Sequence, residues 1–219
     1  EEKVAAFAKA YIASLPGLNS NEKYIPTKFR EKDTYEKFVV NKGTDPKSNV
    51  TILWREETKY DRKTELAAMA LGEVLTIKLV EKLREEEGGV YGVSARGSLS
   101  KITFTDFDFS ISFPCGPENV DKLVAAALGE VEKIKKNGVT QEDLAKVKET
   151  YLVARKEQIK TNSFWINSLV SLDQEDRDDT YVTDYEKRVN DLTAKDVQKV
   201  AQKFLDDNYF LAILMPEEK

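Results

Sequence analysis

The sequence predicts an α+β fold in which a mixed, mainly antiparallel β-sheet carries helices packed on one face. Three observations predict it. Two strand-like runs precede a long apolar helix, two more follow it, and amphipathic helices fill most of the second half before a final apolar strand. With 219 residues and 41% hydrophobic positions, the chain has enough apolar material for one substantial core.

The N-terminal segment is predicted to be an amphipathic helix from Val4 to Leu15, because its apolar residues recur every three or four positions. A Pro-Gly pair ends this helix. Residues 17–33 are mostly polar and proline-broken, so we expect a surface linker there. Since no methionine starts the chain and the helix is already under way at Glu1, we expect a fragment of a longer polypeptide.

Two strand-like runs, residues 35–41 and 49–55, are separated by Gly, Asp and Pro turn formers. The longest helix is predicted over residues 61–87, and its first half is apolar nearly all round, as expected of the spine of a core. Gly88-Gly89 ends that helix.

The next two runs predict a β-hairpin. The first, Val90–Leu99, would place Tyr91, Val93, Ala95, Gly97 and Leu99 on one face. In the second, Phe107–Phe113, phenylalanine and isoleucine alternate strictly with Asp and Ser, which is typical of a strand with one face on a core and one in water.

The second half is predicted to be mainly helical. One helix begins near Pro117 and ends at Asn137-Gly138, and two more begin at Thr140 and Thr193, each of which is followed three residues later by an acid. The last element, residues 209–215, is almost continuously apolar, which predicts a strand buried on both faces.

The chain contains no histidine. Histidine is the commonest metal ligand and the usual acid or base near neutral pH, so this chain alone cannot assemble most zinc hydrolase centres or catalytic triads. The single cysteine, Cys115, has no histidine to act as its base, and we expect a packed core residue there. We therefore predict no metal ligands and expect any chemistry to require a partner.

Charge gives no sign of nucleic-acid binding, because 34 basic and 39 acidic residues are interspersed without a basic stripe. No stretch approaches the roughly 20 apolar residues of a membrane span, so no membrane insertion is predicted. The acidic run 173–179 could attract a hard cation, but it lacks the fixed alternation and glycine of a calcium loop, and we favour a solvated helix end or loop. Gly88-Gly89 with Gly92 does not predict a phosphate loop, since these glycines follow a helix and precede a strand.

Two further segments leave alternatives open. Phe164-Trp165 in a polar neighbourhood suits either a ligand-facing lip or ordinary helix packing, which we favour. Arg84 and Tyr91, brought together by the Gly-Gly turn, suit either a shared rim that holds a peptide carbonyl and stabilises an oxyanion, or a helix-terminal cation and a half-buried strand tyrosine. From local residues alone, the second interpretation is favoured.

The run from Leu83 to Val93 resembles the Arg-x-x-Glu-Gly-x-x-Tyr region of the pitrilysin/insulinase family of zinc peptidases, with matching residues at Arg84, Glu87, Gly88 and Tyr91. Weaker matches at Leu15-Pro16, Pro117–Val120, Gly138–Thr140 and Leu144 extend the resemblance over nearly the whole chain. It implies the fold of that family and of mitochondrial processing peptidase. It also implies that residues 1–33 are the closing helix of a preceding domain plus a linker, and that 34–219 are the C-terminal inactive domain.

In this family, zinc and the general base come from an H-x-x-E-H helix in an early domain. The resemblance therefore implies zinc in the intact enzyme, none bound by this chain, and an upstream zinc-bearing half as the partner that closes a chamber around a peptide substrate. It gives Arg84 the role of binding a substrate backbone carbonyl. It gives Tyr91 the role of stabilising the tetrahedral intermediate from the non-zinc half.

The alternative is a non-catalytic scaffold or peptide-binding module, because the same fold also serves in respiratory-complex core proteins. The run from Val90 to Arg96 would in addition offer a strand edge for an extended peptide. Family habit in bacteria favours the periplasm or cell envelope as the compartment.

Overall fold

The computed structural model describes residues 1–17, 35–102 and 104–217. By its internal contacts the chain divides into two units, Glu1–Arg30 and Glu31–Lys219. Apart from Gly17, the predicted linker lies outside the described residues, as does the predicted boundary between residues 33 and 34.

Helix α1 (Glu2–Tyr11) belongs to the first unit and has no buried residue. The prediction that it extends to Leu15 is wrong, because the helix ends at Tyr11 and the chain continues in turns. The hydroxyl of Ser14 donates to the carbonyl oxygen of Ala10 at 2.6 Å. Such local side-chain bonds compete with the helical pattern and favour an early end.

The second unit contains one five-stranded sheet, which confirms the predicted mixed, mainly antiparallel architecture. Its strand order is β1-β5-β2-β4-β3, in which β1 and β5 are parallel and the other neighbours antiparallel. The strands are β1 (Glu36–Asn41), β2 (Ser48–Glu57), β3 (Ser94–Leu99), β4 (Asp106–Cys115) and β5 (Phe210–Met215).

Helices cover one face of this sheet. Helix α2 (Arg62–Leu79) continues into a π-helical turn, Val80–Glu86, and a 3-10 turn at Pro117–Asn119 leads into the next helix. The remaining helices are α3 (Val120–Asn137), α4 (Gln141–Gln158), α5 (Asn162–Gln174), α6 (Thr180–Thr183), α7 (Tyr185–Asp191) and α8 (Ala194–Phe204). Thr140 and Thr193 cap α4 and α8 as predicted, the latter with a complete capping box.

The core lies between α2 and the inward face of the sheet, where alternate residues of β4 are buried as predicted. Trp54 is buried at its centre and donates from Nε1 to the carbonyl oxygen of Asp206 at 2.9 Å. Helix α2 lies directly on β3, since a Cβ atom added to Gly97 would stand 2.2 Å from the carbonyl oxygen of Ala68. Glycine at this position therefore allows the helix and strand backbones to approach.

The outward face of the sheet differs from prediction. Strand β5 is central, yet only Leu211 and Ile213 are buried while Leu214 is 39% exposed, so the prediction that β5 is buried on both faces is wrong. The reason is that the helices of this unit cover one face of the sheet only. Apolar side chains consequently remain exposed beside Leu214, among them Phe38 and Val40 on β1.

Candidate functional site

The Arg84 side chain is positioned by the π-helical turn that follows α2. Leu83 is fully buried, whereas Arg84 is exposed, so the turn holds its apolar residue in the core and directs the next one to solvent. The π-helical hydrogen bonding, in which an amide donates to the fifth residue before it, continues to the end of the turn. There the amide of Glu87 donates to the carbonyl oxygen of Lys82 at 3.1 Å. Single π turns within α-helices occur frequently at functional sites.

The Gly88-Gly89 turn is fixed on both sides. Gly88 adopts a left-handed φ of 61°, which glycine tolerates without strain. A Cβ atom on Gly89 would lie 2.8 Å from Cδ1 of Leu123, so the turn packs closely against α3. Glu87 pairs with Lys122 on α3 and with Lys82 on the turn, and these hydrogen bonds lower the pKa of the Glu87 carboxyl from its ordinary value.

Tyr91 follows this anchored turn. Val90 is buried and forms an isolated antiparallel bridge with Cys115, whereas the Tyr91 side chain is 91% exposed. The predicted strand over Val90–Leu99 is therefore wrong in its first part, since regular pairing begins at Ser94. Tyr91 does not share the core face with Ala95 and Leu99, because it precedes the paired strand and the alternation of buried and exposed side chains does not extend to it.

Arg84 and Tyr91 thus project from the core surface at the two ends of one short, anchored segment. Within residues 1–17, 35–102 and 104–217, neither side chain has a hydrogen bond, ion pair or ring contact. A free guanidinium offers five N–H donors and a free phenol one O–H, a combination that suits carbonyl oxygens and oxyanions.

A shallow groove of about 440 Å³, whose lining includes the apolar residues Val93 and Phe113, lies next to Tyr91 on the outward face of the sheet. It is lined by Gly92 and Ser94 from one side and by Thr51 and Ser112 from the other. The two hydroxyls of Thr51 and Ser112 are 3.2 Å apart. Strand β3 is at the edge of the sheet, so the predicted strand edge is present from Ser94 onwards.

A larger cavity, of about 520 Å³, lies between α2, α4, α5 and the α6–α7 segment, and sequence reasoning missed it. Arg155 and Arg188 line it but stand on separate helices, so no local motif joins them. Phe164 also lines it and packs against Arg155 of α4, while Trp165 is 47% exposed and contacts the Phe164 ring, so ordinary helix packing stays a prediction for this aromatic pair. The short α5 covers the cavity instead of entering the core.

The acidic run 173–179, which begins in the last turn of α5, contains one buried cation. The side chain of Arg177 in its middle is 4% exposed and pairs with Glu65 and Glu175. Arg177 also donates to the hydroxyl of Tyr60 at 2.6 Å. The aspartates of the run, Asp173, Asp176, Asp178 and Asp179, are nevertheless exposed, as expected of a solvated helix end or loop. The buried Arg177 neutralises carboxylates that would otherwise repel one another.

Zinc does not fit the residues of this chain. The sequence has no histidine, and no group of three or more Cys, Asp or Glu side chains among the described residues is placed to hold a metal ion. Cys115 is buried, as predicted, and burial raises the pKa of its thiol, which disfavours the thiolate that binds metals. Within the part of the chain that the structure describes, no helix is long and apolar enough to cross a membrane.

Comparison with known proteins agrees with the resemblance drawn from Leu83–Val93. Residues 1–151 match the family model of the peptidase M16 inactive domain. The chain is 25% identical over 228 residues to the probable zinc protease PqqL of Haemophilus influenzae, covering 97% of this chain and 23% of that protein. The chain thus spans about a quarter of the length of this relative.

Solved structures show the same fold. The periplasmic protease PqqL from Escherichia coli superposes with a TM-score of 0.82 at 23% identity, covering 99% of this chain and 24% of that one. The first half of the same protease also superposes, with a TM-score of 0.76 at 15% identity, covering 98% of this chain and 49% of that one. With more than half of its residues matched by the family model, the chain belongs to the peptidase M16 inactive domain family.

Proposed function

We propose that this chain forms the C-terminal wall of a substrate chamber in a zinc metalloendopeptidase and supplies Arg84 and Tyr91 to the peptide. The observation that carries the proposal is the exposure of both side chains at the two ends of one anchored turn, where no described residue engages them. Both polar heads are solvated and available to a ligand, because no partner among the described residues has to be displaced first.

The chemistry follows from the two donors. The guanidinium of Arg84 would hold a backbone carbonyl oxygen of the peptide, and the phenol of Tyr91 would donate to the oxyanion that forms when water attacks the scissile carbonyl. A donor that is already in place costs no reorganisation as charge develops. The adjacent groove beside Ser94 and Ser112 would accommodate the rest of an extended peptide.

The zinc and the general base would be held by another part of the protein, since this chain's residues do not fit the metal. The partner we propose is an upstream half of the same polypeptide. Support comes from the name of the Haemophilus relative as a probable zinc protease and from the recurrence of this fold in the first half of PqqL. The chain alone is then expected to be inactive, with residues 1–33 as the preceding domain's last helix plus a linker.

The test is hydrolysis of a quenched fluorescent peptide mixture by the zinc-bearing half, with and without this chain. Activity is expected only when the zinc-bearing half and this chain are combined. Tyr91→Phe is then expected to lower turnover by about a hundredfold or more, as is typical when one oxyanion donor is lost. Tyr35→Phe, at another exposed tyrosine, is the matched control.

Unchanged turnover with Tyr91→Phe would remove this residue from catalysis. If the intact protein hydrolyses no peptide at all, that result would favour a non-catalytic scaffold over a peptidase. The compartment we propose is the periplasm or cell envelope, on the strength of the periplasmic PqqL neighbour. Cell fractionation of the source organism with antibodies against the chain tests that part separately.

A further inference from the structure

The cavity of about 520 Å³ is distant from the Arg84–Tyr91 segment. Its α2 residues, such as Arg62 and Met69, come from the first half of that helix, whereas Arg84 follows its end. At 1.5 Å per residue, the 18 residues of α2 extend over about 27 Å. The cavity is therefore a second opening, at the other end of the helix.

Arg155 is the central cation of this cavity. Its guanidinium lies between two rings, 4.3 Å from the centroid of Phe164 and 4.6 Å from that of Tyr185. Its Nη2 donates to the carbonyl oxygen of Val182 at 2.7 Å, which ties α4 to α6. This clamp fixes the plane of the guanidinium and removes most of the entropy cost of binding a partner in that plane.

The other donors of Arg155 remain available. Among the described residues, no acceptor engages its Nε or Nη1, and no acidic side chain forms an ion pair with it. No buried side-chain nitrogen of the described residues lacks a hydrogen-bond partner, so these two atoms are at least partly accessible to solvent, and Arg155 lines the cavity. Burial lowers the pKa of the Arg155 guanidinium, and the nearby positive charge of Arg188 acts in the same direction.

Arg188 is the second unneutralised cation. It donates to the carbonyl oxygens of Thr180 and Tyr181, and no carboxylate of the described residues lies within ion-pair distance of it. The exposed Glu186 acts on Arg155 only through longer-range attraction. The other charges are already balanced, since Arg62 pairs with Asp178 and the cavity's carboxylate, Glu65, pairs with Arg177.

The opposite wall is neutral and hydrogen-bonding. It is the first half of α5, where Ser163, Asn167 and Ser168 line the cavity. The positive end of the α5 dipole adds to the potential of the two arginines. Two cations without counter-ions favour an anion, the planar guanidiniums suit a planar carboxylate, and the apolar ring walls favour one attached to an organic chain.

We propose that this cavity binds a peptide carboxylate, either a C-terminal one or an acidic side chain, held by Arg155 and Arg188. We assign the carboxylate to a peptide because the proposed function makes peptides the substrates, and this assignment rests on that proposed function. The role would be to anchor part of a substrate far from the scissile bond. Binding here requires no hydrolysis, so a failure of this proposal is distinct from a failure of the proposed function.

The test is ¹H–¹⁵N NMR on the arginine Nε–H signals of the 219-residue chain. N-acetyl-trialanine with a free carboxylate is expected to shift the Arg155 and Arg188 signals in a saturable manner, whereas its C-terminal amide is not. N-acetyl-Ala-Asp-Ala amide distinguishes a side-chain carboxylate from a terminal one. Equal binding of the trialanine amide overturns the proposal, as does a response to inorganic phosphate without a response to either carboxylate peptide.

Two variants locate the site. Arg155→Gln is expected to weaken binding by about tenfold or more, as is typical for a lost hydrogen bond to a charged group. Because that change also removes the bond to Val182, Asn167→Asp serves as a second variant, which places a competing carboxylate in the cavity at an exposed helix position. Asn162→Asp, on the same helix but outside the cavity lining, is the matched control. Unchanged binding in folded Asn167→Asp would overturn the assignment.

Discussion

The carboxylate of Glu87 lies 2.7 Å from Nζ of Lys122, which ties the residue before the Gly-Gly turn to α3. Its other carboxylate oxygen lies 3.0 Å from Nζ of Lys82 on the π turn. One side chain thus joins the end of the helical segment to a neighbouring helix, at the point from which Tyr91 is presented.

Replacing Glu87 with Gln is therefore expected to loosen the turn without unfolding the chain. The amide of Gly89, which donates to the carbonyl oxygen of Leu83 at 3.1 Å, should exchange with solvent several-fold faster. Native-state hydrogen exchange measures this directly. Glu85→Gln is the control, because Glu85 is exposed and forms no ion pair among the described residues. Equal exchange in both variants would mean that packing against Leu123 alone holds the turn.

Gly97→Ala is expected to destabilise the second unit strongly. The new Cβ atom would lie 2.2 Å from the carbonyl oxygen of Ala68, and backbone atoms cannot rotate away as a side chain can. Overpacking of this kind costs about 3 kcal/mol. Urea denaturation should show the loss, whereas Gly129→Ala should raise the free energy of unfolding by about 0.5–1 kcal/mol, because Gly129 lies within α3 with open space around it.

Arg84→Ala in the assembled protease is expected to raise KM by about tenfold and to change kcat little. The reason is that a carbonyl-binding guanidinium contacts the peptide in the ground state and the transition state alike. Arg84→Lys should recover only part of the loss, since an ammonium lacks the planar fork. Steady-state kinetics measures KM and kcat for each variant, with Lys136→Ala as the control at another cation. An unchanged KM in Arg84→Ala would contradict the proposed role of Arg84.

Asp143 contributes a pH-dependent link between α4 and α2. Burial on its own raises the pKa of its carboxyl, but the hydrogen bond from Thr140 and the pairing with Lys78 at 3.1 Å outweigh burial and lower the pKa below its ordinary value. Since the folded-state pKa is the lower one, this stabilisation is present above the unfolded-state pKa of about 3.9 and is lost as pH falls through the folded-state value.

Asp143→Asn is expected to lower the free energy of unfolding at pH 7 by about 1.5 kcal/mol. The difference from the unaltered chain should begin to shrink as pH falls below about 4, where the carboxyl of the unfolded chain takes up a proton, and should be lost as pH falls through the lower folded-state pKa. Urea unfolding between pH 7 and 3 measures both effects, with Asp121→Asn as a control at a carboxylate whose side chain is 93% exposed. A difference that is constant over this range would assign the effect to packing.

Much of the fold could be predicted from local pattern alone. The strict alternation in Phe107–Phe113, the caps at Thr140 and Thr193 and the burial of Cys115 are all present, because each depends on neighbours within a few residues. The π-helical turn could not be predicted, since a 3.6-residue period does not distinguish it from the helix it continues.

Features that depend on contacts between distant parts of the chain could not be predicted from local sequence patterns. Arg155 and Arg188 stand on different helices, and only the folded chain brings them to one cavity. Local chemistry favoured a structural role for Arg84 and Tyr91, and the family resemblance favoured a functional one. The structure places both side chains in solvent, and their roles in peptide hydrolysis stay predictions.

The apolar side chains left on the outward face of the sheet bear on how every stability measurement must be designed. Phe38, Val40 and Leu214 are all more than a third exposed on neighbouring strands, and contiguous patches of this kind promote association. Any association of folded chains stabilises them by mass action. Melting temperatures of the isolated chain are therefore expected to rise with protein concentration, and variants should be compared at one fixed, low concentration after light scattering has defined the monomeric range.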